Sequence, residues 1–299
     1  MKSIVSVPAF LIAVALACTA ATGAPQPTPE LPPPAALPDL ASAGAPVAQP
    51  RETQYDFTSR INGRKYRVMV SAPFKADPRK TYPVIYVIDG NWYFRATADS
   101  VTESSGAGRI LPAIVVGVGY PTDDNDEVGR RRWLELSLPG GPEGKDHDLS
   151  KVGAGDLFLR VLLEEVKPLV QARFPVDETQ QTLYGKSLGG LMVIRMLFHH
   201  PEAFHTYVAA SPSIWWNHQA VLADEASFAQ LARTGKLHLK ILITSAGGEQ
   251  HADASELVTR LAALDHAHVV VARAIFADED HVSVSLASIG RGLTFALEK

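Results

Sequence analysis

The stretch Thr182–Val193, TLYGKSLGGLMV, holds two motif fragments at once. Gly185-Lys186-Ser187 is the tail of a phosphate-binding P-loop, whereas Gly185-Lys186-Ser187-Leu188-Gly189 is a G-x-S-x-G turn of the kind that exposes a nucleophilic serine. A P-loop has the form G-x-x-x-x-G-K-[ST], and its first glycine falls here on Gln180. The strand-like QTLY also runs straight into Gly185, which leaves no loop to wrap a phosphate. A nucleophile elbow asks instead for a strand, a tight turn with small residues flanking the serine, and then a helix. Residues 181–185, Ser187 between Gly185 and Gly189, and the apolar run 188–199 supply all of these.

Outward from the elbow, residues 54–60 and 65–72 alternate as strands do, with Asn62-Gly63 as the hairpin turn between them. Apolar runs of buried-strand length follow at 83–89, 112–118, 206–210, 238–245 and 268–276. Helical stretches separate most of them. The clearest is 155–174, where Phe158, Val161, Leu162, Val166, Leu169 and Val170 recur at i, i+3, i+4 spacing. Strands alternating with helices predict an α/β fold, a mostly parallel central sheet with helices on both faces, here entered through an antiparallel N-terminal hairpin. By analogy this is the order of an α/β hydrolase.

The chain has 299 residues, 46% hydrophobic and 20% charged, with a net charge of -4. That composition fits one large globular domain, placed at 52–299, and gives no reason to expect a nucleic-acid partner. The N-terminus differs. Lys2 precedes the apolar run Ile4–Ala17, the layout of a secretory signal over residues 1–23, and the run is shorter than the roughly 20 residues a membrane span needs. Cys18 is the only cysteine, and Val14-Ala15-Leu16-Ala17-Cys18 resembles a bacterial lipobox with Ala15 where leucine is usual. Cys18 is therefore either lipidated or part of a discarded signal. Residues 24–51 are rich in Pro and Ala and read as an extended linker. The expected location is outside the cytoplasm, periplasmic, either soluble or tethered to a membrane by lipid.

A serine hydroxyl becomes a nucleophile when a histidine accepts its proton and an acid orients that histidine, and in this fold they follow in the order serine, acid, histidine. Of the ten histidines, His281 lies in the loop after strand 268–276 and before the C-terminal helix, where the base belongs. The acid belongs after strand 238–245. Glu249 is the first carboxylate there, Asp253 competes with it, and Asp278 or Asp280 would serve only if the histidine loop folds back. An oxyanion hole needs backbone N–H groups aimed at the developing charge. Leu188, after the nucleophile, and Asn91, in the loop Ile88-Asp89-Gly90-Asn91-Trp92, are the candidates. The Asp89 side chain is expected to bond its own loop backbone.

The segments YVIDGNWYF (86–94), LYGKSLGGLMV (183–193), AASPSIWWN (209–217), SAGGEQ (245–250) and DEDHVSV (278–284) together resemble the putative-esterase family of α/β hydrolases, over roughly residues 52–299. That family includes S-formylglutathione hydrolases, mycolyltransferases and esterases that open trilactone catecholate siderophores, and the last group is the most similar. The resemblance implies Ser187 as nucleophile, His281 as base, Asn91 and Leu188 as oxyanion donors, and neither metal nor cofactor. Some siderophore esterases of the family work with a Ser-His pair and no well-placed carboxylate. Two departures bear on substrate choice: the elbow is usually G-H-S and here is G-K-S, and Arg130-Arg131-Arg132-Trp133 leads into Leu134-Glu135-Leu136.

The first reading is an exported serine esterase acting on a small-molecule ester through an acyl-enzyme. Trp215, Trp216 and the run Arg130–Arg132, Arg130 first among them, are candidate contacts for an aromatic, anionic substrate, and Lys186 is a further candidate contact. Against these stand a hydrophobic wall for the tryptophans and a solvated surface for the cations. An acyltransferase would share the chemistry with an alcohol as acceptor, and a non-catalytic binding protein is the alternative from another class.

Overall fold

The computed structural model describes residues 49–141, 148–247, 250–264 and 268–299, all within one compact unit, Ala48–Lys299. The signal, most of the linker, Cys18 and Glu249 lie outside the described residues.

The chain enters through a hairpin. Strands β1 (Glu52–Thr58) and β2 (Lys65–Ser71) pair antiparallel from Glu52↔Ser71 to Thr58↔Lys65. Gly63 closes the turn at φ 71°, and Asn62 holds it by accepting from the Arg64 N–H at 3.0 Å and donating to the Tyr66 hydroxyl at 2.8 Å. After β3 (Tyr82–Ile88) come helix α1 (Gly90–Gly106), β4 (Ile114–Gly119) and α2 (Asn125–Glu135). A helical run of α3 (Gly155–Val161) and α4 (Lys167–Gln171) then leads to β5 (Val176–Lys186) and α5 (Leu188–His199). The remainder is β6 (Thr206–Ala210), the short α6 (Trp216–Gln219), α7 (Glu225–Ala232), β7 (Leu239–Ala246), α8 (Gln250–Ala262), β8 (Val269–Phe276) and α9 (Val284–Leu297).

The eight strands form one sheet in the order β1-β2-β4-β3-β5-β6-β7-β8, parallel from β4 to β8 with β2 antiparallel to both its neighbours. This is the α/β-hydrolase topology expected from the sequence. β3, β4 and β6 are buried along their whole length, which is why they read as continuous apolar runs. One face of the sheet packs Tyr86, Leu183 and Tyr207 against α3 and α5. The other packs Ile85, Tyr184 and Val208 against α1 and α9.

Two departures from the sequence reading go beyond shifts of one or two residues at strand ends. β5 begins at Val176 rather than 181, since after Val176 the added residues Asp177–Gln180 are polar and mostly exposed and carry no apolar signal. The expected helix 155–174 is interrupted by a π turn at Leu162–Val166, where the Lys167 N–H donates to the Leu162 carbonyl. Pro168 is the cause: it has no N–H to give the Glu164 carbonyl and its ring crowds that oxygen, so the helix widens ahead of it.

Candidate active site

Ser187 sits between β5 and α5 at φ 59° and ψ -117°, a backbone conformation that costs of order 1–3 kcal/mol and is held by its surroundings. Its N–H donates to the Ala210 carbonyl at 2.9 Å, and its carbonyl accepts from Leu191 at 2.9 Å and Ser213 at 3.1 Å. The flanking glycines have a steric reason. A Cβ on Gly185 would lie 2.3 Å from the Gly189 carbonyl oxygen, and one on Gly190 would lie 3.0 Å from Pro212 Cα. The Ser187 hydroxyl is thereby turned out of the strand toward His281, whose Nε2 lies 3.0 Å from Ser187 Oγ. Ser213 Oγ, buried beneath the elbow, is 3.3 Å from the same oxygen.

His281 is fixed by its loop. The Asp280 carboxylate accepts from the N–H groups of Val282 and Ser283 at 2.7 and 2.8 Å, so its role is to shape the backbone. Burial, and then the positive charges of Lys186 and Arg132, hold the His281 imidazole below the ordinary histidine pKa, with Asp280 pulling the other way. The ring is therefore neutral at pH 7 and able to accept a proton. Its Nδ1 is buried and has no hydrogen-bond partner among the described residues. The end of β7 is clamped to this loop, with the Gly247 N–H donating to the carbonyls of Phe276 at 3.1 Å and Glu279 at 3.2 Å. A Cβ on Gly247 would meet the Ala277 oxygen at 2.6 Å. Of the competing acids, Asp253 accepts from Gln219 at 3.2 Å and Asp278 is exposed.

Asn91 and Leu188 occupy the first turns of α1 and α5, where N–H groups have no intrahelical acceptor. Neither N–H donates a hydrogen bond among the described residues. The Asn91 side chain is committed elsewhere: it donates to the carbonyls of Tyr120 at 2.9 Å and Thr122 at 3.1 Å and accepts from the Tyr120 N–H at 2.8 Å. It ties the start of α1 to the end of β4, and Gly119 makes room, since a Cβ there would fall 2.2 Å from Asn91 Oδ1.

Several expected contacts fall elsewhere. The Asp89 side chain does not bond its own loop; it is buried and paired with Arg132, whose Nε lies 3.0 and 2.9 Å from its two oxygens. Arg132 also donates to the Lys186 carbonyl at 3.3 Å and places its guanidinium 5.3 Å from the Trp92 ring centroid. Arg130, two residues and thus about 200° around α2 from Arg132, is exposed beside Trp133, Leu134 and Lys151, not at the serine. Trp216 is fully buried, with its indole N–H on the Leu138 carbonyl at 2.7 Å, and offers no surface to a substrate. Trp215 stays half-buried, two residues after Ser213. Lys186 is largely buried, 6% exposed, rather than on the open surface. The sequence reading missed Ser213 and the 39%-exposed Trp92 as neighbours of the site, and held Arg132 only as part of the run Arg130–Arg132 offered to a substrate. Helical phase on α2 would have separated Arg132 from Arg130.

Strand order and elbow together place the protein among the α/β hydrolases. Within that class, residues 59–283 match the family model described as "Putative esterase", and the chain belongs to that family of hydrolases. It is 33% identical over 257 residues to the ferri-bacillibactin esterase BesA of Bacillus subtilis, covering 80% of this chain and 87% of that one. It is 30% identical over 287 residues to the siderophore triacetylfusarinine C esterase of Aspergillus fumigatus, covering 85% and 95%. The crystal structure of the BES protein from Bacillus cereus superposes with a TM-score of 0.78 at 30% identity, covering 86% of this chain and 100% of that one.

Proposed function

We propose that the protein is a serine esterase that opens the ester bonds of siderophores. The observation that carries the reading is the 3.0 Å contact between His281 Nε2 and the Ser187 hydroxyl on a strained elbow. Ser187 Oγ attacks the ester carbonyl carbon as its proton passes to His281 Nε2. The oxyanion that forms takes the unpaired N–H groups of Leu188 and Asn91. Collapse breaks the ester C–O bond, and the leaving alkoxide takes the proton from His281. Water then gives a proton to the same nitrogen and attacks the acyl carbon. Ser187 leaves with that proton, and a carboxylic acid is released. With Nε2 acting as base, the other proton of the ring sits on Nδ1, and Glu249, two residues beyond the clamped Gly247, is the carboxylate proposed to receive it.

The substrate class rests on relatives named as esterases of ferri-bacillibactin and of triacetylfusarinine C, which the chain matches over most of its length. Export by residues 1–23, with lipidation at Cys18, belongs to the same reading. Among the described residues no helix is long and apolar enough to cross a membrane. Incubating the full chain with a trilactone catecholate siderophore, ferric and iron-free, beside a Ser187→Ala control tests the chemistry. Linear product that disappears in the control supports it, and product that persists in the control overturns the serine mechanism. A Cys18→Ser chain that stays in the membrane fraction of a bacterial host would overturn the lipid anchor.

A further inference from the structure

A buried charge is normally paired, because an ion removed from water without a partner is strongly destabilised. Lys186 meets that rule only in part: its side chain is largely buried, yet its Nζ is not among the sealed atoms left without a partner, so the ammonium opens toward the site. It is the last residue of β5, 6% exposed, and it makes no hydrogen bond or ion pair among the described residues. By strand alternation its side chain shares the α1 and α9 face of the sheet with Tyr184, beside the serine that follows it. The charged and titratable groups acting on it are Arg132 from α2, Asp89 at the start of α1, and Asp280 and His281 from the loop before α9. The carboxylates are already engaged: both oxygens of Asp89 by Arg132, and Asp280 by the N–H groups of its own loop. Burial and the neighbouring guanidinium both push the Lys186 pKa down from its ordinary value, while Asp89 and Asp280 oppose them.

The geometry points to Lys186 as a specificity residue that takes an anionic oxygen of the substrate, a carboxylate or phenolate carried close to the scissile carbonyl. This rests on the serine-esterase reading and narrows it to anionic esters. The ammonium has three N–H donors and no acceptor among the described residues, so a substrate anion supplies a partner as it enters. The attraction does not require the anion to belong to the acyl or the alcohol half, and the probes separate the two.

For the acyl side, mono-p-nitrophenyl glutarate is compared with p-nitrophenyl butyrate, and for the alcohol side p-acetoxybenzoate with phenyl acetate. The full chain and its Lys186→Met and Lys186→Arg variants are assayed for kcat/KM on each. On one of the two pairs, Lys186→Met should lose roughly 10- to 100-fold more on the anionic than on the neutral ester, and Lys186→Arg should recover most of the difference. A structural role would lower both members of a pair together. Binding is read separately in a Ser187→Ala chain, by affinity for the same esters with and without Lys186→Met. Should the wild type hydrolyse neither pair, the affinity difference alone decides the role of Lys186, and the esterase reading is decided by the trilactone assay. If the methionine variants do not fold, the preference of the Ser187→Ala chain for the anionic ester is followed from pH 7 upward. It should fall as lysine loses its proton while Arg132 keeps its charge. Anionic-to-neutral ratios that Lys186→Met leaves unchanged on both pairs, or that hold steady as lysine deprotonates, overturn the inference.

Discussion

Arg132 holds Asp89 by placing its Nε 3.0 and 2.9 Å from the two carboxylate oxygens, directly beneath the elbow. Asp89 Oδ2 would lie 3.2 Å from a Cβ on Gly189, so the pair supports the first turn of α5 from below. It also joins α2 to the start of α1, the turn that carries Asn91 and Trp92. Burial pushes the Asp89 carboxyl up, and the guanidinium opposes that. Removing either partner leaves an uncompensated buried charge, which costs about 3–5 kcal/mol. Arg132→Met is expected to lower stability by that amount in urea denaturation, and Asp89→Leu in the same chain to restore part of it. A single variant as stable as the wild type would show that the pair does not hold the elbow.

The glycine at 185 is a sharper test of the elbow itself. Its would-be Cβ is 2.3 Å from the Gly189 carbonyl oxygen, which is backbone and cannot swing aside. Gly185→Ala must therefore displace α5 relative to β5 and move Ser187 away from His281. A shift near 1 Å at a reacting group costs on the order of 100-fold in rate. The expected outcome is a loss of kcat of at least that size in a chain whose circular dichroism remains that of an α/β protein. Full activity would mean that the elbow tolerates widening.

Where the sequence was transparent and where it was opaque follows from what each element buries. β3, β4 and β6 are buried throughout, so their apolar runs fix them to within about two residues. The elbow was legible because sterics alone select its glycines. Helix α2 was not, because its buried residues are only Val128 and Glu135 and no apolar stripe marks it. Glu135 is buried as an ion-pair partner of Arg131, 2.8 Å away. Which arginine of Arg130–Arg132 turns inward depends on helical phase and on Asp89, 43 positions earlier in the chain. A pairing of that sequence separation leaves no local trace. Trp215 and Trp216 divide in the same way, one half-buried and one sealed against Trp133 at a ring-centroid distance of 5.3 Å.

The pH profile follows from the charges around His281. A general base works in its neutral form, so activity is present above its pKa and lost as pH falls through it. Burial together with Lys186 and Arg132 holds that pKa below the ordinary value. The acid limb of kcat/KM for a neutral ester is accordingly expected below about pH 6.5. Lys186→Met removes one of the cations and should move the limb toward higher pH. An acid limb that stays in place, measured on p-nitrophenyl butyrate, would show that Lys186 does not act on the histidine.

The remaining test concerns the orientation of His281. Its Nδ1 is buried without an acceptor among the described residues, while Asp280, next to it in sequence, has its carboxylate engaged by the loop. A ring in which Nε2 acts as base carries its proton on Nδ1, and a buried N–H of that kind asks for an acceptor. The backbone clamp from Gly247 to Glu279 joins the ends of the two segments that carry Glu249 and His281. Loss of the orienting carboxylate in serine hydrolases lowers kcat by roughly 10⁴-fold. Glu249→Gln is expected to approach that loss. Asp280→Asn keeps an oxygen for the loop N–H groups and should cost far less. The comparison is made under single-turnover conditions, so that product release does not mask the chemical step. If Glu249→Gln retains more than about a tenth of the rate, the histidine works in a Ser-His pair, held by its loop alone.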